Sequence, residues 1–541
     1  MKQRIAAVLA LFIFVSAAIT ARLSLISTAE PLMLAAKRQS AVVLNIAQTR
    51  GRIYDRYLRP ITDSETKNIA AIMPNEQAAD AVMRAIPAES RANFREELTG
   101  MVPFLWEVNS DQIFARGLEV FEVTQRYSKN QPAVHLIGQI DSATGRGASG
   151  LEKAYDELLR SAGGTLQMRY TSDAMRRGSY LQLPEIIDTG YQNKAGIVLT
   201  LDLDIQLIAE QAAKRLERGA VVIMDPNNGD ILACASVPAY DPNNAAKSLG
   251  GDGQPFFNRA LAAYNVGSTF KLLTAAAALE TGINTDRSYE CEGFIEIKDQ
   301  VFRCHNLAGH KTIDMVEAMN RSCNPYFISL ALQLGGQTLL YKARQLGFGS
   351  ALELAPGMFT ASGTLPDESE LTAPAAVANF GFGQGKLTAT PIQIATLTSV
   401  FANGGGVVTP RLVMGSSSDG EKMYRSTTVY SQRKLFTEKA AETVKQLMIS
   451  VVEDGSGKKA KPEHGSAGGK TASAQTGQYQ NGVERVHAWF SGFYPANQPK
   501  YVITVLAEDG NSGSDAACPV FAEIANGIWQ LEQQRRYSAT K

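Results

Sequence analysis

Residues 272–280 read Leu-Leu-Thr-Ala-Ala-Ala-Ala-Leu-Glu, with no charge before the closing glutamate. Alanine and leucine are strong helix formers, so the chain from Ser268 onward reads as one helix, apolar enough that it must be buried. At 541 residues the chain is long enough for two or three domains with a sizeable core to hold it.

Directly ahead of this helix stands Tyr264-Asn-Val-Gly-Ser-Thr-Phe-Lys271. Gly267 suits a tight entry turn. Ser268 then falls in the first helical turn, where unpaired backbone N–H groups favour developing negative charge. Lys271, three residues on, lies on the same face one turn along. A serine hydroxyl is a poor nucleophile until a base takes its proton, and a half-buried lysine of lowered pKa can do so. The pattern predicts a serine acyl-transfer enzyme. Ser-x-x-Lys also occurs at Ser64/Lys67, Ser431/Lys434, Ser456/Lys459 and Ser538/Lys541. Those four stand in polar surroundings and read as solvated loops; only Ser268 opens an apolar helix.

Lys+Arg and Asp+Glu are both 53, for a formal net charge of +0. Nothing therefore favours nucleic acid or a polybasic membrane surface. The N-terminus is distinct: Met1-Lys-Gln-Arg4 is short and basic, and residues 5–21 are uncharged and mostly apolar. We read residues 5–21 as an uncleaved transmembrane anchor with residues 1–4 in the cytoplasm, by the positive-inside tendency. Ser16-Ala-Ala18 could also serve as a small-residue cleavage site. Either version puts the remainder outside the cytoplasm.

Five cysteines are too few for a disulfide framework. Cys291 and Cys304 bracket a short hairpin, and a bridge across it is expected as one possibility. Cys304-His305 with His310 hints at zinc, but no second Cys/His pair has ligand spacing, so no metal and no cofactor is expected.

Along the chain, Arg50-Gly-Arg-Ile-Tyr-Asp-Arg56 reads as strand and hairpin, residues 75–100 as amphipathic helices, and Gly147–Tyr155 as a Gly-rich turn into a helix. Residues 22–195 form an α+β module, more structural than catalytic, and residues 196–541 a second domain. In the latter, Gly219-Ala-Val-Val-Ile-Met-Asp225 and Ile231-Leu-Ala-Cys-Ala-Ser236 make a hairpin across Pro226–Asp230, giving a sheet with the Ser268 helix against it. Asn320-Arg-Ser-Cys-Asn-Pro325 is a loop closed at a helix start. Asn379-Phe-Gly-Phe-Gly-Gln-Gly385 lacks a Gly-Lys-Ser/Thr ending and reads as packing and turn chemistry near the site rather than a phosphate loop. Gly465-Ser-Ala-Gly-Gly-Lys-Thr-Ala-Ser-Ala474 is small throughout, as a strand edge approached by a ligand backbone needs. Strands over residues 487–494 and 501–506 complete an antiparallel sheet, followed by a helix over residues 519–531 and a polar tail.

Three short patterns thus stand in order: Ser268-x-x-Lys271, Ser322-x-Asn324 and Lys470-Thr-Ala472. Together they resemble the signature of penicillin-binding proteins and serine β-lactamases. The whole chain resembles a class B (monofunctional) penicillin-binding protein, through Arg50–Arg56, Gly150-Leu-Glu152, Asp225-Pro-Asn-Asn-Gly229, Gly381-Phe-Gly-Gln-Gly-Lys386 and Trp489-Phe-Ser-Gly492. The resemblance implies an α+β transpeptidase (serine β-lactamase-like) domain, an antiparallel sheet with flanking helices, on an N-terminal pedestal module.

It further implies that Ser268 attacks the carbonyl between two terminal D-alanines of a peptidoglycan stem peptide. Lys271 would be the general base, Ser322 and Asn324 the proton relay and amide holders, and Lys470 the positive charge. Thr471, Ala472 and Ser473 would line the substrate strand, with Ser268 and Ser473 N–H groups as oxyanion hole. β-Lactams would mimic the donor. No segment resembles the family's glycosyltransferase domain, which implies a membrane glycosyltransferase partner. Ala472 replaces the usual glycine; a methyl on an edge strand could crowd the ligand, but it is the smallest possible increase, and altered β-lactam affinity rather than loss of chemistry is expected. The competing readings are a β-lactam hydrolase or sensor on the same fold, and a non-catalytic wall-synthesis scaffold.

Overall fold

A computed structural model of the chain describes residues 1–28, 41–173, 175–178, 183–285, 288–425, 432–480 and 482–539. Ser431 and Lys541, members of two of the spare Ser-x-x-Lys pairs, lie outside the described residues. The chain divides into two compact units. The first comprises Met1–Arg50, Asp63–Arg126 and Ser161–Asn193; the second comprises Gly51–Thr62, Tyr127–Arg160 and Lys194–Lys541. Segments 51–62 and 127–160, which lie inside the 22–195 stretch, thus fold with the second unit.

The first unit begins with the helix Lys2–Thr28, 27 residues long and apolar enough to cross a membrane. It contains the 5–21 run. Two antiparallel three-stranded sheets follow. One orders Ala41–Gln48, Thr165–Thr171 and Glu185–Asp188; the other places Glu65–Ile72 between Phe104–Val108 and Leu118–Gln125. Side chains alternate across the central strand. Ile69 and Ala71 join a cluster with Ile46, Met168 and Tyr170 of the other sheet. Ala70 and Ile72 instead meet Ala78, Val82 and Phe94 from the helices Glu76–Ala85 and Arg91–Thr99. Each face of the strand therefore buries its own core, as the amphipathic reading of residues 75–100 requires.

The second unit is built on a five-stranded antiparallel sheet in the order Ile231–Val237, Gly219–Met224, Tyr501–Ala507, Val483–Tyr494, Gly468–Gln480. The same two-residue alternation gives it two buried faces. Val221, Ile223, Phe490 and Val505 pack on Ile205, Ala209, Phe521 and Ile524 of the outer helices Leu203–Ala213 and Cys518–Ala539. Ala220, Val222, Trp489 and Leu506 pack instead into the cluster that holds Leu272, Leu273 and the alanines 275–278. Those helical residues are all solvent-free. Each such leucine contributes ~1.5–3 kcal/mol by leaving water. The final helix runs to Ala539 rather than ending near residue 531 in a polar tail. Its last turns carry Arg535, whose guanidinium binds both oxygens of Asp202 at 2.7 Å and Asp204 at 2.7 Å.

Arg50-Gly-Arg-Ile-Tyr-Asp-Arg56 is a structural buttress. Arg52–Tyr54 pairs in parallel with Gly196–Leu199. Buried Asp55 accepts the Tyr57 and Arg59 backbone N–H groups at 2.9 Å each and the Arg59 side chain at 2.8 Å. Arg59 extends the network to Asp204 at 2.9 Å.

Candidate active site

Ser268 does not open the α-helix directly. Gly267–Phe270 is one 3-10 turn, and the α-helix begins at Lys271. Gly267 has φ +62°, the left-handed region that costs a side chain ~1 kcal/mol or more. A side chain there would be crowded as well. A Cβ on Gly267 would stand 3.0 Å from the Ala474 Cβ and 3.2 Å from the Ala472 Cβ. Its N–H donates to Gly383 O at 2.9 Å, and a Cβ on Gly383 would fall 1.9 Å from Gly267 O. The Gly-rich stretch thus works as expected, letting two backbones touch behind the serine. Ahead of the turn, Tyr264–Asn265 pairs with Thr388–Ala389, and Trp489 Nε1 donates to Asn265 O at 2.9 Å.

The helix carries Lys271 into a dry pocket with no exposed surface. Its Nζ donates to Ser322 O at 2.8 Å, Asn324 Oδ1 at 2.8 Å and Ser322 Oγ at 3.2 Å. The Phe327 ring lies 5.5 Å from the same nitrogen. Burial lowers the Lys271 pKa to about 7, against an opposing pull from the Cys323 and Cys304 thiols. A neutral amine keeps a lone pair for a hydroxyl proton, which an ammonium lacks.

Ser322 and Asn324 owe their positions to the turn between two helices, Met315–Asn320 and Asn324–Leu334. Ser322 has φ +50°, strained for serine. Asn324 Nδ2 donates to Arg303 O at 3.1 Å, which fixes its oxygen toward Lys271. From the sheet edge, Lys470 Nζ donates to Ser322 Oγ at 3.1 Å and Thr471 O at 2.9 Å. Burial, followed by the neighbouring Lys271 charge, pushes the Lys470 pKa well below its usual value.

Ser268, Ser322, Asn324, Thr471, Ala472 and Ser473 line one open cavity of about 520 Å³. Lys271 and Lys470 lie behind this lining, bonded to Ser322 and Thr471. Ala472 reaches the cavity wall, but its side chain is almost solvent-free. It belongs to the buried core and faces the position a Gly267 side chain would take. Strand alternation sends residues 470 and 472 inward and residues 471 and 473 outward. The strand's third residue thus meets the Ser268 turn.

Several lining residues were not anticipated. Ser456, set aside in a solvated Ser-x-x-Lys, bonds Thr471 Oγ1 at 2.7 Å, while Lys459 points to Asp515 at 2.6 Å. Arg303, His305, Arg321 and Gln384 also line the cavity. A residue 15 positions away in sequence carries no local mark of this.

The five cysteines are free, so the bridge expected as one possibility between Cys291 and Cys304 is not formed. Cys291, Cys304 and Cys323 instead converge with His310, all buried, their ligand atoms within 4.8 Å of one another. The Cys323 thiol donates toward Cys304, pulling the Cys304 pKa down and its own up.

A serine on a tight turn, a desolvated lysine three residues on and an edge strand lining the same cavity are the parts that serine acyl transfer needs. The chain belongs to the penicillin-binding-protein transpeptidase family: residues 219–526 match the family described as penicillin binding protein transpeptidase domain. Peptidoglycan D,D-transpeptidase PbpA of Mycobacterium tuberculosis is 31% identical over 345 residues, 58% of this chain and 68% of that protein. Stage V sporulation protein D of Bacillus subtilis is 29% identical over 411 residues, 72% of this chain. The match spans 61% of the sporulation protein's length. Among solved structures, a peptidoglycan synthase complex described as coordinating polymerization and crosslinking superposes with a TM-score of 0.69. That comparison has 24% identity and covers 97% of this chain and 98% of that one.

Proposed function

We propose that this chain is a class B penicillin-binding protein that cross-links peptidoglycan as a D,D-transpeptidase. The observation that carries the reading is the buried Lys271, lowered to about 7 and aimed by Ser322 and Asn324, one turn from Ser268. Neutral Lys271 takes the Ser268 Oγ proton as the oxygen attacks the carbonyl of the terminal D-Ala–D-Ala bond. The tetrahedral intermediate places its oxyanion between the Ser268 and Ser473 N–H groups, a term worth ~3–4 kcal/mol per donor. The C–N bond then breaks, the leaving nitrogen regains a proton through Ser322, and free D-alanine departs. An amine of a neighbouring stem peptide attacks the Ser268 ester and restores the hydroxyl.

Lys470 supplies positive charge beneath the strand, and Thr471 and Ser473 offer outward hydroxyls to the donor's terminal carboxylate. Residues 5–21 anchor the protein in the membrane, with the catalytic unit outside the cytoplasm. The membrane partner is a glycosyltransferase that polymerises the strands. A relative solved in a synthase complex described by polymerization and crosslinking supports that reading.

The test is the intact mass of the full chain after benzylpenicillin, beside Ser268→Ala. A persistent adduct that the variant lacks is expected. An adduct lost within seconds indicates a hydrolase, and none with any β-lactam indicates a scaffold.

A further inference from the structure

The geometry points to a structural zinc site formed by Cys291, Cys304, His310 and Cys323, built into the loop that holds Ser322 and Asn324. A tetrahedral zinc with ligand bonds of 2.0–2.3 Å sets its donors roughly 3.3–3.8 Å apart. Here His310 Nδ1 stands 3.6 Å from Cys291 Sγ and 3.5 Å from Cys304 Sγ, and Cys323 Sγ stands 3.5 Å from Cys291 Sγ. Four donors arranged on those edges enclose one ion of that size.

The donor set selects the metal. Thiolate and imidazole ligands favour zinc over the hard cations that prefer oxygen. A full complement of four protein ligands leaves no open position for water, which marks a structural rather than a catalytic ion. On binding, each thiol gives its proton to solvent and no electron changes hands. Spacing alone concealed the set, because its members come from the strand end at Cys291, the hairpin exit at Cys304, the loop at His310 and the helix cap at Cys323.

Placement says what the ion does. Cys323 is the residue between Ser322 and Asn324. Cys304 follows Arg303, whose carbonyl holds the Asn324 amide. One ion therefore ties together the two segments that aim Lys271, and sustains the strained φ of +50° at Ser322.

The experiment uses the full chain purified in detergent without chelators, with zinc measured by plasma mass spectrometry. About one zinc per chain is expected, falling below roughly a tenth in Cys291→Ser and His310→Ala and unchanged in Cys234→Ser and Cys518→Ser. Cobalt(II) added to chelator-stripped wild-type protein should give thiolate-to-metal charge transfer and tetrahedral d–d bands, which decides the matter if the variants fail to fold. Wild-type protein that holds neither zinc nor cobalt overturns the proposal. So does a peptide map showing a Cys291–Cys323 disulfide in the protein as purified. Stripping should also slow β-lactam acylation at least ~10-fold, as misplacement of a catalytic group does. That arm alone rests on the transpeptidase reading; the metal content stands or falls without it.

Discussion

Lys271 and Lys470 share one oxygen: Ser322 Oγ lies 3.2 Å from the first Nζ and 3.1 Å from the second. Two ammonium groups so placed would repel each other in a dry pocket, so the pair holds less than two protons near neutrality. The serine hydroxyl is then a bridge along which a proton can pass between a base and a charged neighbour.

Acylation by a fluorescent penicillin should rise with pH through about 7, the Lys271 value, and level off above it. The sign follows because only the neutral amine can accept the Ser268 proton. Folding stability should change in the same sense. The unfolded chain binds more protons at this lysine than the native one between about 7 and the usual lysine value, so stability rises with pH across that window. A flat acylation profile from pH 6 to 8 would exclude Lys271 as the base.

Lys271→Arg keeps a charge but presents no accessible lone pair. We expect a loss of at least ~10³-fold in the acylation rate, close to that of Ser268→Ala, since members of such a unit fail together. Stopped-flow binding of the same penicillin measures both. An arginine variant within tenfold of wild type would assign the proton transfer elsewhere.

Gly267→Ala should destabilise the protein by ~1–3 kcal/mol, because it combines a left-handed φ with a 3.0 Å approach to the Ala474 methyl. Ala472→Gly, by contrast, should leave β-lactam acylation within about threefold while costing ~1 kcal/mol in stability, because the lost methyl faces the core. Thermal melts and acylation rates on both variants test the pair. A large gain in acylation for Ala472→Gly would return the methyl to the ligand side.

Arg535→Ala should destabilise the catalytic unit by about 1–3 kcal/mol. It strips Asp202, itself nearly solvent-free, of its bidentate partner and leaves the Asp204 N–H at 3.2 Å and a 3.3 Å contact to Arg59. Urea unfolding with an unchanged slope is the expected readout.

Much of the site was legible because its signals are local. Ser268 and Lys271 sit one turn apart ahead of an uncharged helix, and small residues at 465–474 mark an approachable strand. What escaped detection is contact made at long range. Ser456 reaches Thr471 across a loop, and Ala472 turns its methyl inward because of strand register, which composition does not fix. The four zinc donors come from separate segments, so no spacing rule finds them. Likewise the final helix continues to Ala539 because Arg535 finds Asp202 and Asp204, partners more than 300 residues earlier in the chain.

The pairing of Arg52–Tyr54 with Gly196–Leu199 has a consequence in time. During synthesis the first strand emerges 142 residues before its partner, the interval from Tyr54 to Gly196. At 5–20 residues per second that is roughly 7–30 s of waiting. For that interval Arg59 has Asp55 but not Asp202 or Asp204, and the short strand has an open edge. Birth order therefore exposes the buttress of the catalytic unit well before the strand that covers it exists.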